Sequence, residues 1–133
     1  MKTVLSFFLL GLTQIIAAQL IEAKAKTLSM YVVFTGQETE FLGSSDSDNR
    51  YVFNLNEKMA FENPGPDSNP IQILRFQQLE NGNYQIYLEN KNDRKDIELL
   101  IDLIEKKLHF WVENDDKNMI KLEYTLADLT LTP

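Results

Sequence analysis

Two stretches of the chain alternate strictly between apolar and polar positions. Tyr84, Ile86 and Leu88 are interleaved with Gln85, Tyr87 and Glu89, and Ile120, Leu122, Tyr124 and Leu126 with Lys121, Glu123 and Thr125. A period of two sends successive side chains to opposite faces of an extended backbone, so both stretches predict half-buried β-strands. Clusters of Gly, Pro, Asn, Asp and Ser cut the rest of the chain into segments of strand length: Gly43 to Asn49, Asn63 to Pro70, Asn81 to Asn83, Asn90 to Asp93 and Asn114 to Asn118. Asn81-Gly82 favours the positive backbone angles of a tight hairpin turn. The two longest breaks, Gly43 to Asn49 and Asn63 to Pro70, are expected to be surface loops, because strand patterns resume at once beyond them.

One region satisfies two periods. Between Arg94 and Val112, Ile97, Leu100, Ile101, Ile104, Leu108 and Trp111 also fall at helical spacing. A partial repeat favours strands: the segment Phe53 to Phe61 and the segment Ile101 to Phe110 share an apolar residue, Asn or Asp, Leu, Glu-Lys and a closing Phe, with one extra residue in the second copy. The first copy is too short and too closely bounded by turns to be a stable helix, so both predict strand, Glu-Lys turn, strand. The fold expected is all-β, an antiparallel meander of about eight to ten strands between Leu28 and Leu131, closed as a small barrel or packed as a two-sheet sandwich. The alternative is α+β, with a helix near residues 95–107. A single domain over residues 26–133 is expected.

Ahead of it lies Lys2, then an apolar block from Val4 to Leu12, then Ala17 and Ala18. This is the layout of a secretory signal peptide, an N-terminal helix over residues 1–18 with cleavage after Ala18 or, at the Ala23-Lys24-Ala25 site, as late as residue 25. The domain is therefore expected outside the cytoplasm, secreted or periplasmic. With no cysteine to carry a lipid, no stable membrane anchor is expected after processing.

Composition narrows the chemistry. The 133 residues include 13 Lys and Arg against 20 Asp and Glu, for a net charge of −7, which repels a phosphate backbone and makes nucleic acid an unfavourable partner. Without cysteine and with His109 as the only histidine, neither thiolate chemistry nor a paired-histidine metal site is open to the chain. Asp46 and Asp48 are two apart, but Arg50 stands where a calcium loop of the EF type needs another oxygen donor. No glycine-rich nucleophile turn accompanies His109, and the lipocalin motif Gly-x-Trp on a first strand is absent, since the one tryptophan is Trp111. No cofactor is implied.

The feature least explained by core packing is the row His109, Trp111 and Glu113. If Leu108, Phe110 and Val112 face the core, as matching Phe110 to Phe61 suggests, His109 and Trp111 face the other way, and Tyr87 is likewise out of phase with its apolar neighbours. Aromatics edged by acids and amides suit stacking on a glycan or docking a protein. The expected function is thus a non-enzymatic exported binding or interaction domain with Trp111, Tyr87 and His109 as its binding residues. An inhibitor of an extracellular enzyme, presenting the loop Asn63 to Pro70, and a small hydrolase using two carboxylates are the alternatives.

Overall fold

The computed structural model describes residues 18–34, 39–90, 96–113 and 118–133. They form nine strands: β1 (Leu20–Val33), β2 (Thr39–Asp46), β3 (Arg50–Asn54), β4 (Met59–Glu62), β5 (Ile71–Gln78), β6 (Tyr84–Leu88), β7 (Ile97–Asp102), β8 (Lys107–Glu113) and β9 (Met119–Thr132). Every pairing is antiparallel, and from β3 to β9 each strand pairs with the next. The barrel closes where β9 runs along β1, from Leu20 opposite Thr132 to Val33 opposite Met119. Eight strands make the closed barrel. β2 is the extra one, attached to the second half of β1, whose first half carries β3 on the same edge.

The fold class is all-β, and the closure is a barrel rather than a sandwich. No helix forms among the described residues between Asp96 and Val112; they are the β7–β8 hairpin. The repeat explains why. Leu55-Asn56-Glu57-Lys58 and Leu103-Ile104-Glu105-Lys106 are both four-residue turns, with Lys58 at φ 57° and Lys106 at φ 54°. In the first, Asn54 Oδ1 accepts the Glu57 amide at 3.0 Å; in the second, Asp102 Oδ1 accepts the Ile104 and Glu105 amides at 3.0 Å. The Asn or Asp ahead of each turn ties up its amides, as short polar side chains do at turn starts. Superposing the turns aligns Phe61 with His109 and Glu62 with Phe110. Ala60 rather than Phe61 is the buried residue of β4, so pairing Phe61 with Phe110 as core partners is corrected by one position.

Two other expectations change. The barrel starts at Leu20, ahead of the boundary expected at residue 26: Ile21, Ala23 and Ala25 all lie in the core. Gly43 to Asp46 is not loop but part of β2. That polar segment forms a strand because β2 lies outside the barrel, paired to β1, with seven of its eight residues exposed, so it has no apolar face to satisfy. Residues 1–17, which carry the expected signal-peptide helix, lie outside the described residues, as do residues 91–95 and 114–117 of two expected turns.

Burial is graded along the inward-facing rows. On β8, Leu108 is 0% and Phe110 8% exposed while Val112 is half-buried; on β9, Leu126 and Tyr124 are buried while Leu122 and Ile120 are half-buried; on β7, Ile101 and Leu99 are buried and Ile97 is not. Among the described residues one end of the barrel is therefore sealed and the other forms a mouth. At the sealed end Asn83, a buried polar residue, accepts the Leu103 amide at 3.0 Å and so joins the β5–β6 turn to the β7–β8 turn. Beside it the buried Tyr84 hydroxyl accepts the Ala18 amide at 2.8 Å.

Candidate functional site

Two features stand out, one on the barrel's outer surface and one inside its mouth. The outer one contains the three residues singled out in the sequence. Registers place Phe41, Tyr31, Lys121, Trp111, Glu98, Tyr87 and Arg75 side by side on seven adjacent strands. Trp111, His109 and Tyr87 are all half-buried on this face. His109 and Trp111 come together, ring centroids 5.9 Å apart and planes 18° from parallel. Tyr87 does not join them, because β7 with Glu98 runs between.

The row is largely occupied by its own members. Arg75 lies 4.1 Å from the Tyr87 ring centroid, and Lys121 Nζ lies 5.6 Å from that of Tyr31 and 5.5 Å from that of Trp111. Each is a cation over an aromatic face, the arrangement the ring quadrupole favours. Next to it, Gln77 donates to Gln85 at 2.7 Å and Gln85 to Glu98 at 2.7 Å, while Lys107 pairs with Glu123 at 2.9 Å. Burial alone would raise the Glu123 pKa, but the Lys107 hydrogen bond and charge outweigh it and hold the carboxyl below its ordinary value. Burial and the Lys121 charge push His109 below its ordinary value, and its Nδ1 is buried without a hydrogen-bond partner. Alternation on β6 and β8 foretold the outward phase of Tyr87, His109 and Trp111; Tyr31, Lys121 and Arg75 join them only through registers that no local pattern encodes.

The inner feature is a cavity of about 160 Å³ at the mouth. Its floor and one wall are aromatic: the rings of Tyr51, Phe110 and Tyr124 lie 5.3 to 5.8 Å apart in tilted and edge-on pairs. Aliphatic groups of Leu88, Ile97, Val112 and Leu122 complete the apolar lining. Ala60 leaves the space that a larger side chain would fill, and the cavity lies beside the thinnest seam of the barrel, where β4 and β5 share only the pairs Met59–Gln72 and Ala60–Ile71.

A polar corner sits against these rings. Asn49 Nδ2 reaches the Tyr51 and Tyr124 hydroxyls at 3.3 and 3.4 Å and Glu62 Oε1 at 3.3 Å; the Tyr51 hydroxyl donates to the same Glu62 oxygen at 3.4 Å. Asn63 secures Asn49 by donating to its Oδ1 at 3.2 Å. Burial, with the Tyr124 hydroxyl next, pushes the Tyr51 hydroxyl far above the tyrosine range, so it stays a neutral donor. Among the described residues Glu62 is the one charged residue in the cavity wall. Sequence inspection missed this site, since Tyr51 and Glu62 converge only when β3 and β4 pair and Phe110 and Tyr124 close the barrel opposite them. The loop from Asn63 to Pro70 lies outside the cavity, largely exposed, with Ser68 Oγ bonded to the Gly65 carbonyl at 2.8 Å.

No protein-family model, no curated protein and no solved structure matches this chain.

Proposed function

We propose that the chain is an exported, non-enzymatic binding protein whose barrel mouth holds the apolar part of a small molecule. The observation that carries this reading is the cavity of about 160 Å³ between aromatic and aliphatic walls. An apolar space of about 150 Å³ is enough to admit a benzene-sized group. Concave apolar surface with a few convergent polar groups is the usual form of a small-molecule site. Among the described residues one carboxylate reaches this wall, which does not supply the two-acid arrangement of a glycoside hydrolase. On the outer row, Arg75 and Lys121 already cover the rings that a glycan would stack on, which favours the mouth over that face.

Export rests on the Lys2, apolar block and Ala17-Ala18 pattern. Cleavage after Ala18 removes the Ala18 amide from the Tyr84 hydroxyl but spares Gln19, whose amide donates to Thr132 and whose carbonyl accepts from Leu55, both at 2.8 Å. Cleavage after Ala25 removes Ile21, Ala23 and Ala25 from the core and strips β3 of its β1 partner.

Toluene is a suitable first probe. A ligand that binds only the folded state stabilises it by about 2.7 kcal/mol at a hundred times its Kd, so calorimetric unfolding should move to higher temperature as toluene is added. Val112→Phe, which narrows the half-buried wall, should abolish the shift while the variant still unfolds cooperatively. An absent shift in the parent chain, or an equal one in the variant, rejects the mouth as the site.

A further inference from the structure

Resting on that reading, we infer that the mouth selects a small organic cation: an ammonium group carried on an aryl or short alkyl body, the body inside the barrel and the charge beside Glu62.

The first support is the position of the carboxylate. Glu62 follows Ala60 by two along β4, pairs with Tyr51, and holds the place that Phe110 fills in the matching β7–β8 hairpin. Inward positions of a barrel strand ordinarily carry apolar residues. An acid here is a local departure from the pattern, and such departures concentrate where a site needs the chemistry.

The second is the company it keeps. Glu62 Oε1 accepts from Asn49 Nδ2 and the Tyr51 hydroxyl, both neutral donors at 3.3 and 3.4 Å. They orient the carboxylate and leave its charge uncancelled. A carboxylate has about four acceptor positions, so capacity remains for an incoming N–H. Among the described residues no lysine or arginine lines the cavity. An anionic ligand would bring a second negative charge beside Glu62, against a wall whose described residues include no cation.

The third is the ring cluster. Tyr51, Phe110 and Tyr124 line the same space, and aromatic faces attract cations through their quadrupoles. On the outer surface this chain makes that contact three times with its own Lys121 and Arg75. Inside the mouth no described residue places such a cation over the rings. The net charge of −7 over the whole chain adds a long-range field that draws cations in.

The test compares ligands that share one apolar body and differ in charge: 2-phenylethylamine, 2-phenylethanol and 3-phenylpropionate, titrated calorimetrically into the protein at neutral pH. The amine should bind about fivefold more tightly than the alcohol, the scale of one partly solvated ion pair, and the acid most weakly. Glu62→Gln should bring the amine to the level of the alcohol and leave the alcohol unchanged, and Glu62→Lys should reverse the order in favour of the acid. Glu62 is exposed at a strand end, and circular dichroism checks that both variants keep the barrel. Equal binding of all three ligands overturns the cation inference but leaves the mouth site standing. Failure of all three overturns the mouth reading itself. An amine preference that survives Glu62→Gln removes Glu62 from the recognition.

Discussion

Phe110 and Trp111 are neighbours on β8 that point to opposite sides of the barrel wall, which makes their alanine substitutions a direct measure of inside and outside. Phe110 is 8% exposed and packs edge-on against Tyr124 at 5.8 Å and tilted against Tyr51 at 5.4 Å. Truncating a ring so placed removes its transfer free energy and enlarges the adjoining cavity, so Phe110→Ala should cost about 3–5 kcal/mol. Trp111 is half-buried, stacked on His109 and beneath Lys121. Each of those contacts is worth about 0.5–1 kcal/mol near a surface, so Trp111→Ala should cost about 1–2 kcal/mol despite removing the larger side chain. Urea titration followed by far-ultraviolet circular dichroism suits both variants, since neither depends on indole emission. With a difference of about 2.5 kcal/mol and an m-value of about 2 kcal/mol/M, the two midpoints should differ by about 1 M. A Trp111→Ala loss equal to or greater than the Phe110→Ala loss would refute the face assignment.

Three further predictions concern the barrel. A chain starting at Gln19 should fold, whereas one starting at Lys26 lacks the fully buried Ile21, worth about 2–5 kcal/mol by itself, and should give no cooperative unfolding transition; a cooperative transition in the shorter chain would contradict the placement of β1. His109→Phe keeps a ring against Trp111 and removes the unpartnered buried Nδ1, so it should raise stability by about 1 kcal/mol, measured by urea titration at pH 8. Stability should fall on acidification in two stages. His109 is held below its ordinary value of 6.5 in the folded chain, so below that pH the unfolded state binds the extra proton; Glu123, held below 4.5, loses its contribution as pH drops through its lower folded value. His109→Phe should erase the first stage and keep the second, and an unchanged profile would show that another group is responsible.

Strand count, antiparallel order and the Glu-Lys hairpins were legible because each depends on neighbours in sequence: period-two alternation, an Asn or Asp ahead of a turn, a lysine left in a positive-φ position. The inner or outer phase of β6, β8 and β9 was legible for the same reason. Phase failed on β4, where only four residues lie between a turn and a loop and one residue of misalignment exchanges Phe61 for Glu62. β2 was missed because apolar patterning marks only strands with a face to bury, and β2 hangs on the edge of β1 without one. Barrel closure depends on the β1–β9 pairing between the two ends of the domain, which no local signal carries. The mouth site depends on that closure, so Tyr51, Glu62, Phe110 and Tyr124 carried no mark of belonging together.

In the proposed function the barrel mouth, rather than the outer surface, receives the ligand. Methyl-resolved NMR of the isotope-labelled protein titrated with toluene tests it most directly. The methyl groups of Ala60, Ile71, Leu88, Ile97, Val112 and Leu122 lie at the cavity and should shift together along one saturable curve, while those of Leu100 and Thr125, on the outward phase of β7 and β9, stay in place. Shifts confined to outward-facing groups such as Leu100, or to the Trp111 indole, with the cavity methyls unmoved, would contradict it.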